Sequence, residues 1–264
     1  QEETLKETER WLKETETGYG QVKPILTPRY TPTCTDACME GLQVLSEKYQ
    51  VPVQSHLSEG LDEIEWVKQL KPGLSCYGEA YDMYDLLGSR QPAVMAHVVH
   101  PNEAEYELIK HRNVLVAHCP QSNTNAANGV APILQMVHDG IRVGLGTDMA
   151  GGYNLNLLRT ITDAIQASKL RWCFTERNGD PFAKKNFLTV ANAFYLATKG
   201  GGSFFGKVGS FEPDYEFDAV VLDDAALADF VERPVQDRFQ RILWLHTADT
   251  VTAKFIQGTC VYQA

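Results

Sequence analysis

The chain has 264 residues, of which 44% are hydrophobic and 22% are charged, and its formal net charge is −10. This composition is ordinary for a soluble globular protein, and an acidic chain without a basic patch argues against a nucleic-acid partner. No apolar run approaches the roughly 18 residues that a membrane span needs, and the charged N-terminus predicts that no signal peptide is present. The six cysteines include no Cys-x-x-Cys pair, so we interpret them as reduced thiols of a cytoplasmic protein.

Apolar periodicity and end signals predict strands that alternate with helices along most of the chain. Helices are predicted over residues 1–17, 36–49, 62–70, 102–111, 129–139, 155–172 and 190–198. Strands are predicted over residues 22–30, 51–56, 93–97, 114–118 and 141–148. Strands that alternate with helices at this spacing indicate a parallel α/β fold.

Polar side chains stand at the C-terminal ends of the five predicted strands. In chain order these are Arg29–Tyr30, His56, His97, His118 and Asp148. Catalytic groups gather at such strand tips in a (β/α)₈ barrel, whereas a doubly wound sheet usually carries a glycine-rich phosphate loop. Because this sequence has no such loop, we predict a TIM-type barrel domain over residues 1–207, with only about five of its strands present.

The character of the sequence changes after the glycine run at residues 200–202. An apolar strand is predicted over residues 218–223 and a pair of strands over 251–262, around Gly258. These strands predict that residues 208–264 form the C-terminal part of a small β-domain.

Five stretches make the chain resemble the amidohydrolase superfamily and, within it, the guanine deaminases. They are Thr27-Pro-Arg-Tyr30, Gln54-Ser-His-Leu-Ser-Glu59, Val94-Met-Ala-His97, Ala117-His-Cys-Pro-Gln-Ser-Asn123 and Gly144-Leu-Gly-Thr-Asp-Met-Ala-Gly-Gly152. The histidine and aspartate strand tips are common to many aminohydrolases. The first stretch and the last narrow the resemblance to guanine deaminases, and the resemblance covers nearly the whole chain.

The resemblance implies a role for each residue of the predicted site. His56 and Asp148 are similar to metal ligands on the fifth and eighth barrel strands, and the aspartate of that strand also accepts a proton from the metal-bound water as a catalytic residue. His97 is similar to the sixth-strand histidine, a catalytic residue that hydrogen-bonds the attacking hydroxide or the reacting centre. Glu59 is similar to the glutamate that moves a proton to the ring nitrogen and then toward ammonia. Arg29 and Tyr30 are similar to a substrate pair, in which the arginine donates to the purine carbonyl; His56 and Glu59 also face the substrate.

The implied chemistry is hydrolytic deamination of guanine to xanthine and ammonia. Zinc, for which iron is an alternative, lowers the pKa of bound water from 15.7 to about 7. An amino-substituted ring carbon is a poor electrophile until a ring nitrogen is protonated, which a carboxylic acid achieves. A guanidinium suits a planar base with an oxygen acceptor. The resemblance further implies a homodimer.

Several residues have a purely structural alternative. Arg29 could pair with a surface carboxylate, and Asp148 could cap the following helix. His118 is interpreted as a core histidine, Ser122 or Asn123 as a helix cap, and His100 and His111 as solvent-facing. The set of His56, Glu59, His97 and Asp148 is more specific than any one member.

The sequence contains no His-x-His motif, which the family places on its first barrel strand. A catalytic zinc site usually has three protein ligands, and two are predicted here. We therefore expect a C-terminal portion of a longer enzyme that lacks barrel strands one to three. The alternatives are an aminohydrolase that acts on another amino-heterocycle and an inactive fragment or structural partner.

Overall fold

A computed structural model describes residues 2–18, 20 and 22–264; Gln1, in the first predicted helix, lies outside the described residues. The helices are α1 (Glu2–Gly18), α2 (Asp36–Tyr49), α3 (Leu61–Leu70), α4 (Glu79–Asp82), α5 (Glu103–His111), α6 (Pro120–Asn125), α7 (Ile133–His138), α8 (Leu157–Arg171), α9 (Val190–Tyr195) and α10 (Val235–Leu245). The strands are β1 (Val53–Leu57), β2 (Ala93–His97), β3 (Leu115–His118), β4 (Arg142–Leu145), β5 (Ala219–Leu222), β6 (Val251–Ile256) and β7 (Thr259–Gln263). Among these described elements, no helix is both long and apolar enough to cross a membrane.

The chain divides into two compact units. The first contains residues 1–118 and 126–142, and the second contains residues 119–125 and 143–264. Strand β4 begins in the first unit and continues into the second. The predicted boundary between residues 207 and 208 is a different division of the chain and stays a prediction.

Three strands that lie wholly in the first unit, β1, β2 and β3, are parallel. β1 pairs with β2, where Leu57 lies opposite His97, and β2 pairs with β3, where Ala96 lies opposite Ala117. Every second side chain of β1 and β2 is buried, because successive side chains of a strand point to opposite faces. Helices lie between successive strands along the chain, as parallel pairing requires. The predicted parallel α/β fold is confirmed, whereas closure into an eight-stranded barrel stays a prediction.

The prediction of a strand over residues 22–30 is wrong in extent. Only Leu26 forms a β-bridge, parallel to Val53. Pro24 and Pro28 flank this bridge, and proline has no N–H to donate to a neighbouring strand. The segment is therefore joined to β1 at one point, shortly before the predicted substrate pair.

Capping residues place α2 and α5 where the sequence predicts them. Thr35 Oγ1 accepts a hydrogen bond from Cys38 N at 3.2 Å, and Asn102 Oδ1 accepts one from Glu105 N at 2.9 Å. Each cap satisfies an N–H that the helix leaves unpaired and is worth about 1 kcal/mol. The predicted apolar face of α2 is buried, and it consists of Met39, Leu42 and Leu45.

Helix α8 is the centre of the second unit. Helices α6, α9 and α10 all pack against it, and π-type turns extend α8 through Trp172–Glu176 and α9 through Leu196–Gly200. The rings of Phe194 and Phe239 join α9 to α10 edge to face, with centroids 4.9 Å apart. Helices α6 and α10 were not predicted.

The last three strands form an antiparallel sheet in the order β5-β6-β7. β6 turns into β7 through Gln257 and Gly258, both with positive φ, as the predicted strand pair around Gly258 requires. These C-terminal strands are confirmed, and their membership of a larger β-domain stays a prediction.

Candidate functional site

Aromatic and imidazole rings cluster at the C-terminal ends of β1 and β2. The rings of His56 and His97 are stacked with centroids 5.2 Å apart, and Tyr30 meets His56 edge to face at 6.5 Å. Trp66, which the sequence analysis did not single out, meets Tyr30 at 6.4 Å. The Arg29 guanidinium carbon lies 5.5 Å from the centroid of the Tyr30 ring. The structure thus brings four predicted site residues together in the first unit.

Glu59 also belongs to this cluster, and its two carboxylate oxygens face different partners. Its Oε2 lies 3.6 Å from Nε2 of the buried His97, and its Oε1 accepts a hydrogen bond from Asn128 Nδ2 at 2.9 Å. The Asn128 carbonyl in turn contacts His100 Nε2 at 2.6 Å. His100 is therefore half-buried, and the prediction that it faces solvent is wrong, whereas His111 is exposed as predicted. No sequence pattern pointed to Asn128.

The hydrogen-bond partner of His56 determines which ring nitrogen carries the proton when the imidazole is neutral. His56 Nδ1 lies 2.5 Å from the Arg29 carbonyl oxygen, which only accepts hydrogen bonds. Nδ1 therefore carries the proton, and Nε2 keeps the lone pair with which a neutral imidazole binds a metal. The same bond ties His56 to the segment that carries Arg29.

The ends of β1 and β2 hold three residues in the left-handed backbone region. The φ angles are +45° at Ser58, +75° at His97 and +46° at Val98. A β-branched residue such as Val98 is rarely found there. Hydrogen bonds from Val98 N to Leu57 O at 2.9 Å and from Val99 N to Ser58 O at 3.0 Å lock the conformation. Such conformations persist where the surrounding structure enforces them, and they concentrate at functional sites.

His118 is a core residue, as predicted. Its side chain is buried at the end of β3. Burial, with a smaller contribution from the nearby His97, lowers the pKa of His118 from 6.5 to about 3. The imidazole therefore stays neutral in the folded protein at physiological pH.

A buried carboxyl group supports the turn that carries Glu59. Glu105 Oε1 accepts a hydrogen bond from Gly78 N at 2.8 Å, and its side chain also bonds to Ser58. Burial raises the pKa of Glu105 from 4.5 to about 7, and Glu63 adds to the rise. The first turn of α5 is an ordinary place for a solvated glutamate, so the sequence alone did not distinguish this one.

The Glu105→Gln variant is expected to be more stable than the unaltered protein at high pH. The pKa of Glu105 is about 7 in the folded state and 4.5 in the unfolded reference. Its contribution to the free energy of unfolding is therefore complete below pH 4.5 and is lost as the pH rises toward 7. Glutamine does not ionise, so the gain is about 3 kcal/mol near pH 8 and close to zero near pH 4. Urea unfolding at both pH values measures it, with the exposed Glu107→Gln on the same helix as control. An equal effect of Glu105→Gln at both pH values would contradict the prediction.

Asp148 belongs to the second unit, in a turn that follows β4. Its φ is +44°, and a β-carbon added to Gly151 would lie 2.5 Å from Asp148 Oδ2 and 2.7 Å from Ser122 Oγ. Glycine therefore makes room for the carboxylate beside Ser122. The helix-cap alternative for Asp148 is wrong, because Asn156 caps α8. Ser122 and Asn123 both lie inside α6, so the predicted helix cap at one of these two positions is wrong too.

The described side chains include a candidate metal ligand but do not form a complete metal site. His56 is oriented for ligation through its hydrogen bond to Arg29 O. Within residues 2–18, 20 and 22–264, however, no group of three or more His, Cys, Asp or Glu side chains is arranged to hold a metal ion.

The chain is similar to known proteins over most of its length. Residues 1–243 match the model of the amidohydrolase family. A guanine deaminase of Dictyostelium discoideum is 36% identical over 91% of this chain and 53% of its own length, and one of Mus musculus is 34% identical over 97% and 57%. A crystal structure of guanine deaminase from C. acetobutylicum with guanine bound in its active site superimposes with a TM-score of 0.91 at 42% identity, covering 98% of this chain and 60% of that one. The chain thus spans a little over half the length of these relatives.

Proposed function

The chain belongs to the amidohydrolase family, and on that premise we propose that it supplies the purine-binding and proton-transfer residues of a zinc-dependent guanine deaminase. The reaction is the hydrolysis of guanine to xanthine and ammonia. The likeness of the chain to guanine deaminases over nearly its whole length supports guanine as the substrate.

The observation that carries the proposal is the position of Glu59. One carboxylate oxygen is held by Asn128, and the other faces His97 at 3.6 Å. A carboxylate held on one side and free to exchange a proton on the other suits general acid–base catalysis. Glu59 takes up a proton from the attacking water molecule and delivers it to the guanine ring nitrogen beside the amino-bearing carbon. The second proton of that water passes through Glu59 to the departing ammonia, and the water oxygen remains as the new carbonyl. His97, stacked on His56, forms a hydrogen bond with the oxygen that attacks the ring carbon.

Arg29 and Tyr30 orient the purine in this proposal. The guanidinium donates to the carbonyl oxygen of guanine, and the Tyr30 ring, which packs against both His56 and Trp66, borders the base. A donor left without a partner is costly once water is excluded, so a purine without that carbonyl binds less well.

Zinc is proposed with His56 and Asp148 as two of its ligands. The lone pair on His56 Nε2 supports this assignment. When bound, the metal would supply an acidified water molecule at neutral pH. The described residues contain no group of three such donors, so only these two ligands are proposed. The homodimer and the cytoplasmic location expected from the resemblance also stay predictions.

The test is an assay of the protein at the full length in which it is naturally made. Xanthine and ammonia should form from guanine in equal amounts, with near one zinc per chain by elemental analysis. Turnover of another amino-heterocycle in preference to guanine would replace the substrate. Metal binding without any turnover would favour a structural partner over an enzyme.

Arg29→Lys is expected to lower kcat/KM for guanine by about 10- to 100-fold, since lysine keeps the charge and loses the planar fork. The loss should be much smaller for 2-aminopurine, which has the same amino group and lacks the carbonyl. Steady-state kinetics on both purines measure the difference, and Arg90→Lys, at an exposed ion pair of the first unit, is the matched control. An equal loss on both purines would remove Arg29 from carbonyl recognition.

A further inference from the structure

The hydroxyl of Tyr81 is the meeting point of a buried hydrogen-bond network beneath the candidate site. Tyr81 is fully buried. Its hydroxyl lies 2.8 Å from the His56 carbonyl oxygen, 2.9 Å from Ser55 Oγ and 3.2 Å from Thr31 N. Tyr77 stacks on Tyr81 with ring centroids 5.6 Å apart, and its hydroxyl is 3.3 Å from that of Tyr81.

The chemistry of these partners fixes the direction of the bonds. The His56 carbonyl can only accept, so it takes the Tyr81 proton. The Thr31 N–H can only donate, so it points to lone pairs on the Tyr81 and Tyr77 hydroxyls. Tyr77 donates its own proton to Glu63 Oε1 at 2.8 Å. Tyr81 thus bridges strand β1 and the backbone of Thr31.

This bridge completes the attachment of the substrate pair to β1. Upstream of the pair, Ser55 Oγ donates to Pro28 O at 2.6 Å. Within the pair, the Arg29 carbonyl accepts a hydrogen bond from His56 Nδ1. Downstream of the pair, the two tyrosine hydroxyls hold Thr31 N. Because residues 22–30 make only one β-bridge, these side-chain bonds substitute for a strand ladder on both sides of Arg29 and Tyr30.

We propose that Tyr81 is a positioning residue for purine recognition, which sets the placement of Arg29 and Tyr30 over His56 without touching substrate. This inference rests on the proposed function. Burial raises the pKa of Tyr81 to about 12, so the hydroxyl keeps its proton throughout the range in which an enzyme of this kind would be assayed.

The kinetic test compares Tyr81→Phe with Tyr84→Phe in the full-length protein. Both variants lose one phenolic hydroxyl from a buried side chain, but the Tyr84 hydroxyl bonds to Lys71 Nζ at 2.8 Å and lies outside this network. For Tyr81→Phe we expect KM for guanine to rise about tenfold while kcat changes less than about threefold. Tyr84→Phe should change neither constant.

Two further measurements separate positioning from a general loss of stability. In Tyr81→Phe, the amide of Thr31 should exchange its hydrogen faster, while amides of the β1–β2 ladder keep their protection. The ratio of the inhibition constants of purine and hypoxanthine, which differ by the carbonyl, should fall toward one. An unchanged KM and an unchanged ratio in a folded, active Tyr81→Phe protein would overturn the inference alone. Absence of guanine turnover in the unaltered protein would overturn the proposed function and this inference with it.

Discussion

Glu59→Gln is expected to lower kcat for guanine deamination by about 10²- to 10⁴-fold, with KM changed much less. Glutamine has nearly the same shape as glutamate, and its carbonyl oxygen can still accept the hydrogen bond that Asn128 Nδ2 now donates at 2.9 Å. The amide can neither take up nor release a proton at the position that faces His97. Substrate binding and folding should therefore survive while proton transfer fails.

The control for this variant is Glu65→Gln, which removes a carboxylate from the exposed part of α3. It should leave both kinetic constants unchanged. The pH profile adds a second readout, because an activity that depends on Glu59 as an acid and base should lose one ionisation in Glu59→Gln. A kcat within about tenfold of the unaltered enzyme would assign the proton transfers to another group.

The regions of the fold that the sequence predicted well are those where local and tertiary preferences agree. Helix α5 begins where Asn102 can cap it and ends near its basic last turn, and β2 spans the predicted residues 93–97. The prediction of a strand over residues 22–30 was wrong in extent, because Pro24 and Pro28 have no N–H to donate to a neighbouring strand. A short apolar pattern says nothing about which backbone groups will find partners.

The sequence likewise predicted some residues of the candidate site and missed others. Arg29, Tyr30, His56 and His97 stood at predicted strand tips, where chain topology brings side chains together. Glu59 follows one of these tips by three residues. Asn128 and Tyr81 were missed, because each acts through one hydroxyl or amide whose partner is distant in sequence. In the sequence, a buried glutamate such as Glu105 cannot be distinguished from a solvated polar residue in the first turn of a helix. Which polar groups lose their water is decided by the packing of elements, and a single sequence does not record it.

The loss of water around His118 should be measurable as acid sensitivity. The folded protein keeps this imidazole neutral down to about pH 3, whereas the unfolded chain takes up a proton with the reference pKa of 6.5. The stabilising contribution is therefore complete above pH 6.5 and is lost as pH falls from there toward 3. At about 1.4 kcal/mol for each unit of pH, lowering the pH from about 7.5 to about 4.5 should remove about 3 kcal/mol through this residue.

The variant His118→Gln isolates that contribution, because glutamine is neutral in both states. Its free energy of unfolding in urea at about pH 7.5 can differ from that of the unaltered protein for packing reasons, so the informative quantity is the change between that pH and about pH 4.5. This change should be about 3 kcal/mol smaller in His118→Gln than in the unaltered protein. His111→Gln, which removes an exposed histidine from the end of α5, should retain the full acid sensitivity. If both variants keep it, the acid sensitivity originates elsewhere and the core position of His118 does not exclude its proton. If only His118→Gln loses it, the burial of a neutral imidazole at position 118 accounts for that part of the acid sensitivity.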